Sequence, residues 1–186
     1  MERRLQATEA TIKDILIIDF NVFKDNRGYF FESYNQREFA RLGITEKFVQ
    51  DNHSYSRKNT IRGLHYQIGD SAQGKLIRVV KGRILDVAVD IRFGSPNFGS
   101  YFSIFLDENS HKALWIPVGF AHGFAVHSDY AIVNYKCTEF YSKINERSII
   151  YNDAELAIDW GIENPIISEK DLHNPSFKAI EKNFIY

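Results

Sequence analysis

The stretch Arg83-Ile84-Leu85-Asp86-Val87-Ala88-Val89-Asp90-Ile91-Arg92 alternates without a break. Leu85, Val87, Val89 and Ile91 share one face, and Asp86, Ala88, Asp90 and Arg92 share the other, which is the period of a β-strand and not of a helix. The pattern predicts a strand with one buried face. Shorter runs of the same kind recur at Ile15–Phe20, Gly28–Tyr34, Phe48–Tyr55, Lys75–Val80, Tyr101–Leu106, Phe120–Val126 and Ala131–Tyr141. Turn clusters separate several of them, among them Lys24-Asp25-Asn26-Arg27-Gly28, Lys81-Gly82 and Gly94-Ser95-Pro96-Asn97. Many short strands with few helical patterns between them predict a mainly β, antiparallel sandwich or barrel. Helix signals are few. Asn35 is placed to cap a short helix through Leu42, with Glu38 at N3 and Gly43 just past the end. Asn174-Pro175 reads as the opening of a second helix toward Lys182, within a helical tail from about residue 168.

With 186 residues, 44% of them hydrophobic, the chain suits one domain spanning residues 1–186. A net charge of −1 offers no general attraction to nucleic acid or to an anionic membrane, so an anionic ligand needs local cations. The lone cysteine, Cys137, cannot close an internal disulfide and sits in an apolar run, which fits a reducing compartment. No apolar run approaches the ~18 residues of a membrane span, and Met1-Glu2-Arg3-Arg4-Leu5-Gln6 lacks the apolar core of a signal peptide. A cytoplasmic protein is expected.

Two segments carry chemistry. Arg62-Gly63-Leu64-His65-Tyr66-Gln67 places His65 on a strand face opposite Leu64 and Tyr66. Ile116-Pro117-Val118-Gly119-Phe120-Ala121-His122 contains P-x-G-x-x-H, which resembles the second motif of the cupin superfamily and implies a jelly-roll barrel. A metal-binding cupin would supply H-x-H and a following glutamate. Here Gln67 stands in place of one imidazole, and no glutamate lies between His65 and Lys75, so these positions do not assemble a metal shell. No metal and no cofactor are expected.

The motifs taken together are more specific. Phe48-Val49-Gln50-Asp51-Asn52-His53-Ser54, Arg62 to Gln67, Gln73-Gly74-Lys75-Leu76, Leu85 to Arg92 and Gly119 to Phe124 resemble, in order and with comparable gaps, the dTDP-4-dehydrorhamnose 3,5-epimerase family. The resemblance runs from about Ile15 to Asp171. It implies an isomerase of dTDP-rhamnose synthesis that acts on a dTDP-linked 4-keto-6-deoxy sugar. By resemblance, His65 is the base, Asp171 its partner, Tyr135 the proton donor and Lys75 the cation beside the ketone oxygen. The same carry-over assigns substrate contacts to Arg27, Glu32, Gln50, Asp51, Asn52, Arg62, His122, Glu146 and Lys170. It also implies a homodimer in which an N-terminal strand joins the partner's sheet.

The residue types suit that chemistry. A proton on a carbon beside a ketone is acidic because the carbanion delocalises as an enolate. Inverting the carbon then needs a base on one face, an acid on the other and positive charge near the oxygen. Histidine titrates near neutrality, and a carboxylate partner fixes its tautomer. A phenol keeps its proton until an adjacent enolate takes it. Arginine donors match diphosphate oxygens in pairs.

Plainer readings stand beside these. A histidine, lysine or arginine taken alone is more often a hydrogen-bonded or solvated residue. His122 fits a structural bond as well as a ligand contact, Glu146 and Lys170 fit a surface ion pair, and Asp171 fits the N3 position of a helix capped by Ser168. Two positions depart from the family pattern: Gly161 follows Trp160 where a proline is common, and the loop Gln67-Ile68-Gly69-Asp70 lacks a proline. The rival functions are a single-carbon epimerase on a related keto-sugar, a sugar-nucleotide ketoisomerase, against which Gln67 argues, and a barrel that binds a sugar nucleotide without turnover.

Overall fold

The computed structural model describes residues 5–186, so most of the segment read as lacking a signal-peptide core, Met1 to Arg4, lies outside the described residues. Thirteen strands form: β1 (Gln6–Glu9), β2 (Leu16–Asp19), β3 (Phe23–Asp25), β4 (Gly28–Phe30), β5 (Gln50–Arg57), β6 (Ile61–Gln67), β7 (Lys75–Lys81), β8 (Arg83–Asp90), β9 (Tyr101–Asp107), β10 (Lys112–Ile116), β11 (Phe120–Val126), β12 (Tyr130–Cys137) and β13 (Glu146–Ser148). A six-stranded sheet runs β1-β2-β10-β7-β12-β5, a five-stranded sheet runs β13-β6-β11-β8-β9, and β3 and β4 make a separate hairpin. Every pairing between these strands is antiparallel. The architecture is the expected antiparallel jelly roll, built as two facing sheets and not as one closed ladder.

Alternation sorts the side chains into three apolar layers. Ile77 and Val79, Ile84 and Ala88, Phe120 and Phe124, and Ala131 and Val133 meet between the sheets. Leu85, Val87, Val89, Ala121 and Ala125 face outward from the five-stranded sheet and are covered by Ile149, Leu156, Trp160 and Phe177. Leu76, Ala113 and Trp115 face outward from the other sheet and meet Phe39 and Ile44. β8 is therefore buried on both faces, where the alternation predicts only one. The segment after β13 supplies the second cover, and it carries too little regular structure to be legible as a layer.

Other expectations shift for physical reasons. The helix at Asn35 forms as α1 (Gln36–Arg41), with the Asn35 side chain accepting from the backbone of Arg37 and Glu38. The helix expected from Asn174 does not form. Only a 3-10 turn at Phe177–Ala179 appears there, because the Ile150 N–H donates to the Pro175 carbonyl and the Phe177 N–H donates to Asp153, while the Phe177 ring is buried in the outer layer. The helical tail from residue 168 reduces to one turn, α2 (Glu169–Leu172). The run from Gly28 stops at Phe30, after a hairpin in which Asp25 accepts from the Arg27 N–H. The run from Ala131 to Tyr141 ends at Cys137. Leu16–Asp19 pairs with β1 on one side and β10 on the other, so it has no free edge to offer a partner's sheet. The Trp160-Gly161 departure also has a backbone cause: Gly161 has φ +65, which a proline ring cannot reach.

β6 and β11 approach each other closely where the register shifts between His122 and Phe124. A Cβ on Gly63, which has φ +122, would lie 2.5 Å from Gly123 Cα and 2.7 Å from the His122 carbonyl oxygen. Backbone cannot yield as a flexible side chain does. Gly63→Ala is expected to destabilise the fold by about 2 kcal/mol or more, seen as a lower urea midpoint with an unchanged slope. A midpoint equal to the native one would show that the strands can part without cost.

Candidate active site

One end of the space between the sheets is apolar. The other opens as a cavity of about 660 Å³ lined by Arg62, His65, Lys75, His122, Tyr135 and Asp171, among others. His65 projects from β6 and His122 from β11, directly opposite it in register, so both imidazoles come from the five-stranded sheet. Lys75 and Tyr135 come from β7 and β12 of the six-stranded sheet and face them.

His65 Nε2 lies 2.7 Å from Asp171 Oδ1. Asp171 is only 4% exposed. It is also the N3 residue of α2, as the plainer reading has it, and its N–H donates to Ser168 Oγ at 3.1 Å. The cap sets the carboxylate under the imidazole. Burial opposes ionisation of Asp171, but the His65 contact, with Ser168 and Asn174 beside it, outweighs burial and holds the carboxyl below the usual range. With Nε2 committed to a carboxylate, Nδ1 is left as the lone-pair nitrogen of His65.

Lys75 Nζ donates to the His65 carbonyl at 3.2 Å. Burial pulls its pKa down, opposed by Cys137, Asp86 and Glu146. Burial also pushes the Tyr135 phenol up, which strengthens its hold on the proton. His122 Nε2 sits 3.0 Å from Asp86 Oδ2, and Asp86 has no exposed surface. The structural bond and the place in the cavity wall therefore coexist at His122. Arg62 donates from Nε to Ser56 Oγ at 2.9 Å and from Nη2 to the Tyr55 carbonyl at 3.2 Å.

Gln50, Asn52 and Glu146 line a smaller recess that shares His65, Lys75 and Tyr135 with the main cavity. Gln50 Nε2 donates to Asn52 Oδ1, and Asn52 Nδ2 approaches Cys137 Sγ at 3.5 Å. Glu146 Oε2 is 2.6 Å from Lys170 Nζ and accepts from the Tyr141 hydroxyl. Burial works against the Glu146 charge, and the Lys170 and Tyr141 bonds overcome it, leaving its pKa low.

Three expected contacts lie elsewhere. Asp51, between Gln50 and Asn52, points to the opposite face of β5 and pairs with Lys136 at 2.7 Å. Alternation along the strand forbids all three from facing one cavity. Arg27, with its side chain 86% exposed, pairs with Asp25 at the tip of the β3–β4 hairpin, and Glu32 is exposed and bonds Asn35. Asp86 and Tyr141, at the site, were missed by sequence reasoning. Asp86 sits in a quoted motif as one of several alternating polar residues, and its lack of exposure is the only sign that sets it apart. Among the described residues no group of three His, Cys, Asp or Glu side chains is arranged to hold a metal, and Gln67 is turned to other bonds.

An imidazole with a buried carboxylate partner, facing a phenol and a half-buried ammonium across one cavity, is the equipment of an acid–base isomerase working beside a carbonyl. The family model described as dTDP-4-dehydrorhamnose 3,5-epimerase matches residues 9–179. The chain belongs to the dTDP-4-dehydrorhamnose 3,5-epimerase family. Proteins of that name from Shigella flexneri and Pseudomonas aeruginosa are 48% and 49% identical over 93% of this chain and 96% of their own. The crystal structure of dTDP-6-deoxy-D-glucose-3,5-epimerase RmlC from Legionella pneumophila, in complex with dTDP-4-keto-L-rhamnose, is 42% identical with a TM-score of 0.94, covering 98% of this chain and 99% of that one.

The depressed Asp171 carboxyl links stability to pH. A pKa lowered by folding contributes stability that is present above the unfolded value and lost as pH falls through the folded one. The difference in unfolding free energy between the native protein and Asp171→Asn is expected to be full at pH 7 and to shrink below about pH 4, measured by urea titration at both. A difference independent of pH would remove the charged Asp171 carboxylate as its source.

Proposed function

We propose that this protein epimerises C3 and C5 of dTDP-4-dehydro-6-deoxy-D-glucose to give dTDP-4-dehydro-L-rhamnose, in dTDP-rhamnose synthesis. The observation that carries this reading is the 2.7 Å His65–Asp171 pair facing Tyr135 and Lys75 across one cavity. His65 Nδ1 takes the proton from the carbon beside the ketone, and the electron pair moves into the enolate. Asp171 stabilises the imidazolium that results. The Lys75 ammonium sits by the ketone oxygen, where negative charge develops. Tyr135 delivers its proton to the opposite face of the carbanion. Exchange with solvent removes the proton from His65 and restores the one on Tyr135, and the sequence repeats at the second carbon, both carbons being acidified by the same ketone.

Arg62, His122, Gln50, Asn52, Glu146 and Lys170 hold the sugar nucleotide in this reading, with the exposed ring of Tyr141 at the rim. Asp51 is left out, since it faces away. The protein works as a cytoplasmic homodimer, with no nucleic acid or membrane partner. The dimer gives Arg27 and Glu32 a role that their own cavity does not: the exposed hairpin tip reaches the partner's site and brings its guanidinium to the diphosphate. No helix among the described residues is long and apolar enough to cross a membrane, and the unpaired buried thiol of Cys137 suits a reducing compartment.

In deuterated water, label from solvent is expected at C3 and C5 of the product, read by NMR. His65→Ala should abolish incorporation, and label at one carbon alone would reassign the reaction to a single-site epimerase. The dimer reading has its own test. Arg27→Ala and His65→Ala, each inactive, should regain activity on mixing, because a mixed dimer assembles one site with both residues intact. No recovery, together with a monomer by sedimentation at several concentrations, would overturn it.

A further inference from the structure

Gln67 lies two residues after His65 on β6, on the same face, and is 5% exposed. Its side chain satisfies three backbone groups. Nε2 donates to the Ser71 carbonyl at 2.8 Å and to the Phe140 carbonyl at 3.0 Å, and Oε1 accepts from the Ser142 N–H at 2.6 Å. Phe140 and Ser142 belong to the segment that leaves β12, the strand of Tyr135, and crosses to β13, which pairs with β6. One buried amide thus joins the strand of the base, in the five-stranded sheet, to the chain trailing the strand of the acid, in the six-stranded sheet. Gln73, in the loop leading into β7, anchors the same segment, donating to the Glu139 carbonyl at 2.6 Å.

We infer that Gln67 is a positioning residue for the two-sided proton transfer: it fixes the gap between His65 and Tyr135 by pinning the crossover between their sheets. Arg62 and Lys75 also bond across that gap, but both bring charge that the proposed reaction uses. Gln67 brings none and is buried. An amide suits the task because it donates twice and accepts at a fixed angle, which an imidazole or a carboxylate does not. The inference rests on the acid–base reading above.

The gap matters because abstraction and inversion make different demands. His65 alone removes the proton and, after exchange with solvent, returns a deuteron to the same face. Inversion needs Tyr135 within reach of the carbanion before that return. A widened or loosened gap therefore raises exchange without inversion, and the ratio of label in recovered substrate to label in product reads the gap directly. A change in the folded fraction alone scales both and leaves their ratio as it was.

The test is Gln67→Met, similar in volume and unable to bond the three backbone groups. In deuterated water with dTDP-4-dehydro-6-deoxy-D-glucose, the exchange-to-inversion ratio is expected to rise roughly ten-fold, since small misplacements of a reacting group carry large kinetic penalties. If Gln67→Met does not accumulate as folded protein, Gln67→Glu keeps the acceptor for Ser142 and loses both donations, and the same rise is expected there. A native ratio in the folded variant would overturn the positioning role while leaving the epimerase reading intact. Absence of any exchange in the native protein would instead overturn the reading on which it rests.

Discussion

Lys75, Asp86 and Asp171 carry ionisable groups into the space between two sheets, where water is scarce. Taking a carboxylate or an ammonium out of water costs several kcal/mol unless partners restore what solvent supplied. The arrangement of the cavity follows from meeting that cost. Asp171 meets His65, Asp86 meets His122, and Lys75 meets a carbonyl with acidic groups nearby. Each pairing also prepares a group for work. The carboxylate that Asp171 keeps charged is the one that orients the His65 ring, so the requirement of folding and, in the proposed reaction, that of proton abstraction fall on the same contact.

The scaffold keeps those contacts rigid by burying its strands on more than one side. β8 and β11 have apolar neighbours on both faces, and the close passage of Gly63 and Gly123 lets β6 lie against β11 with the two histidines in register. Residues two apart on one strand then take different duties. His65 faces the cavity, and Gln67 turns the same strand face into an anchor for the crossover.

The strand periods in the sequence were sufficient to read most of the strands, because a period of two survives wherever one face is apolar, but the short β1, β10 and β13 were not among the runs it showed. They did not show that β8 has a second cover, since Leu156, Trp160 and Phe177 lie in irregular chain with no period at all. His65, Lys75 and His122, legible through their motifs, converge with Tyr135, which the family resemblance alone singled out, and Asp171 meets His65 from 106 positions away in the chain. Asp51 shows the limit of motif carry-over, because contiguous residues on a strand cannot share a face. Asp86 shows another limit. A buried carboxylate looks, in sequence, like any polar member of an alternating run.

The outer cover of the five-stranded sheet is also the segment that carries Asp171. Ile149 pairs with Leu64 by two backbone bonds, Ile166 exchanges bonds with Asn59 and Ile61, and α2 follows directly. All thirteen strands precede this wrapping in the chain. The wrapping thus ties cover to carboxylate: the backbone bonds that seat Ile149 and Ile166 against the five-stranded sheet also hold α2, and Asp171 with it, beside His65.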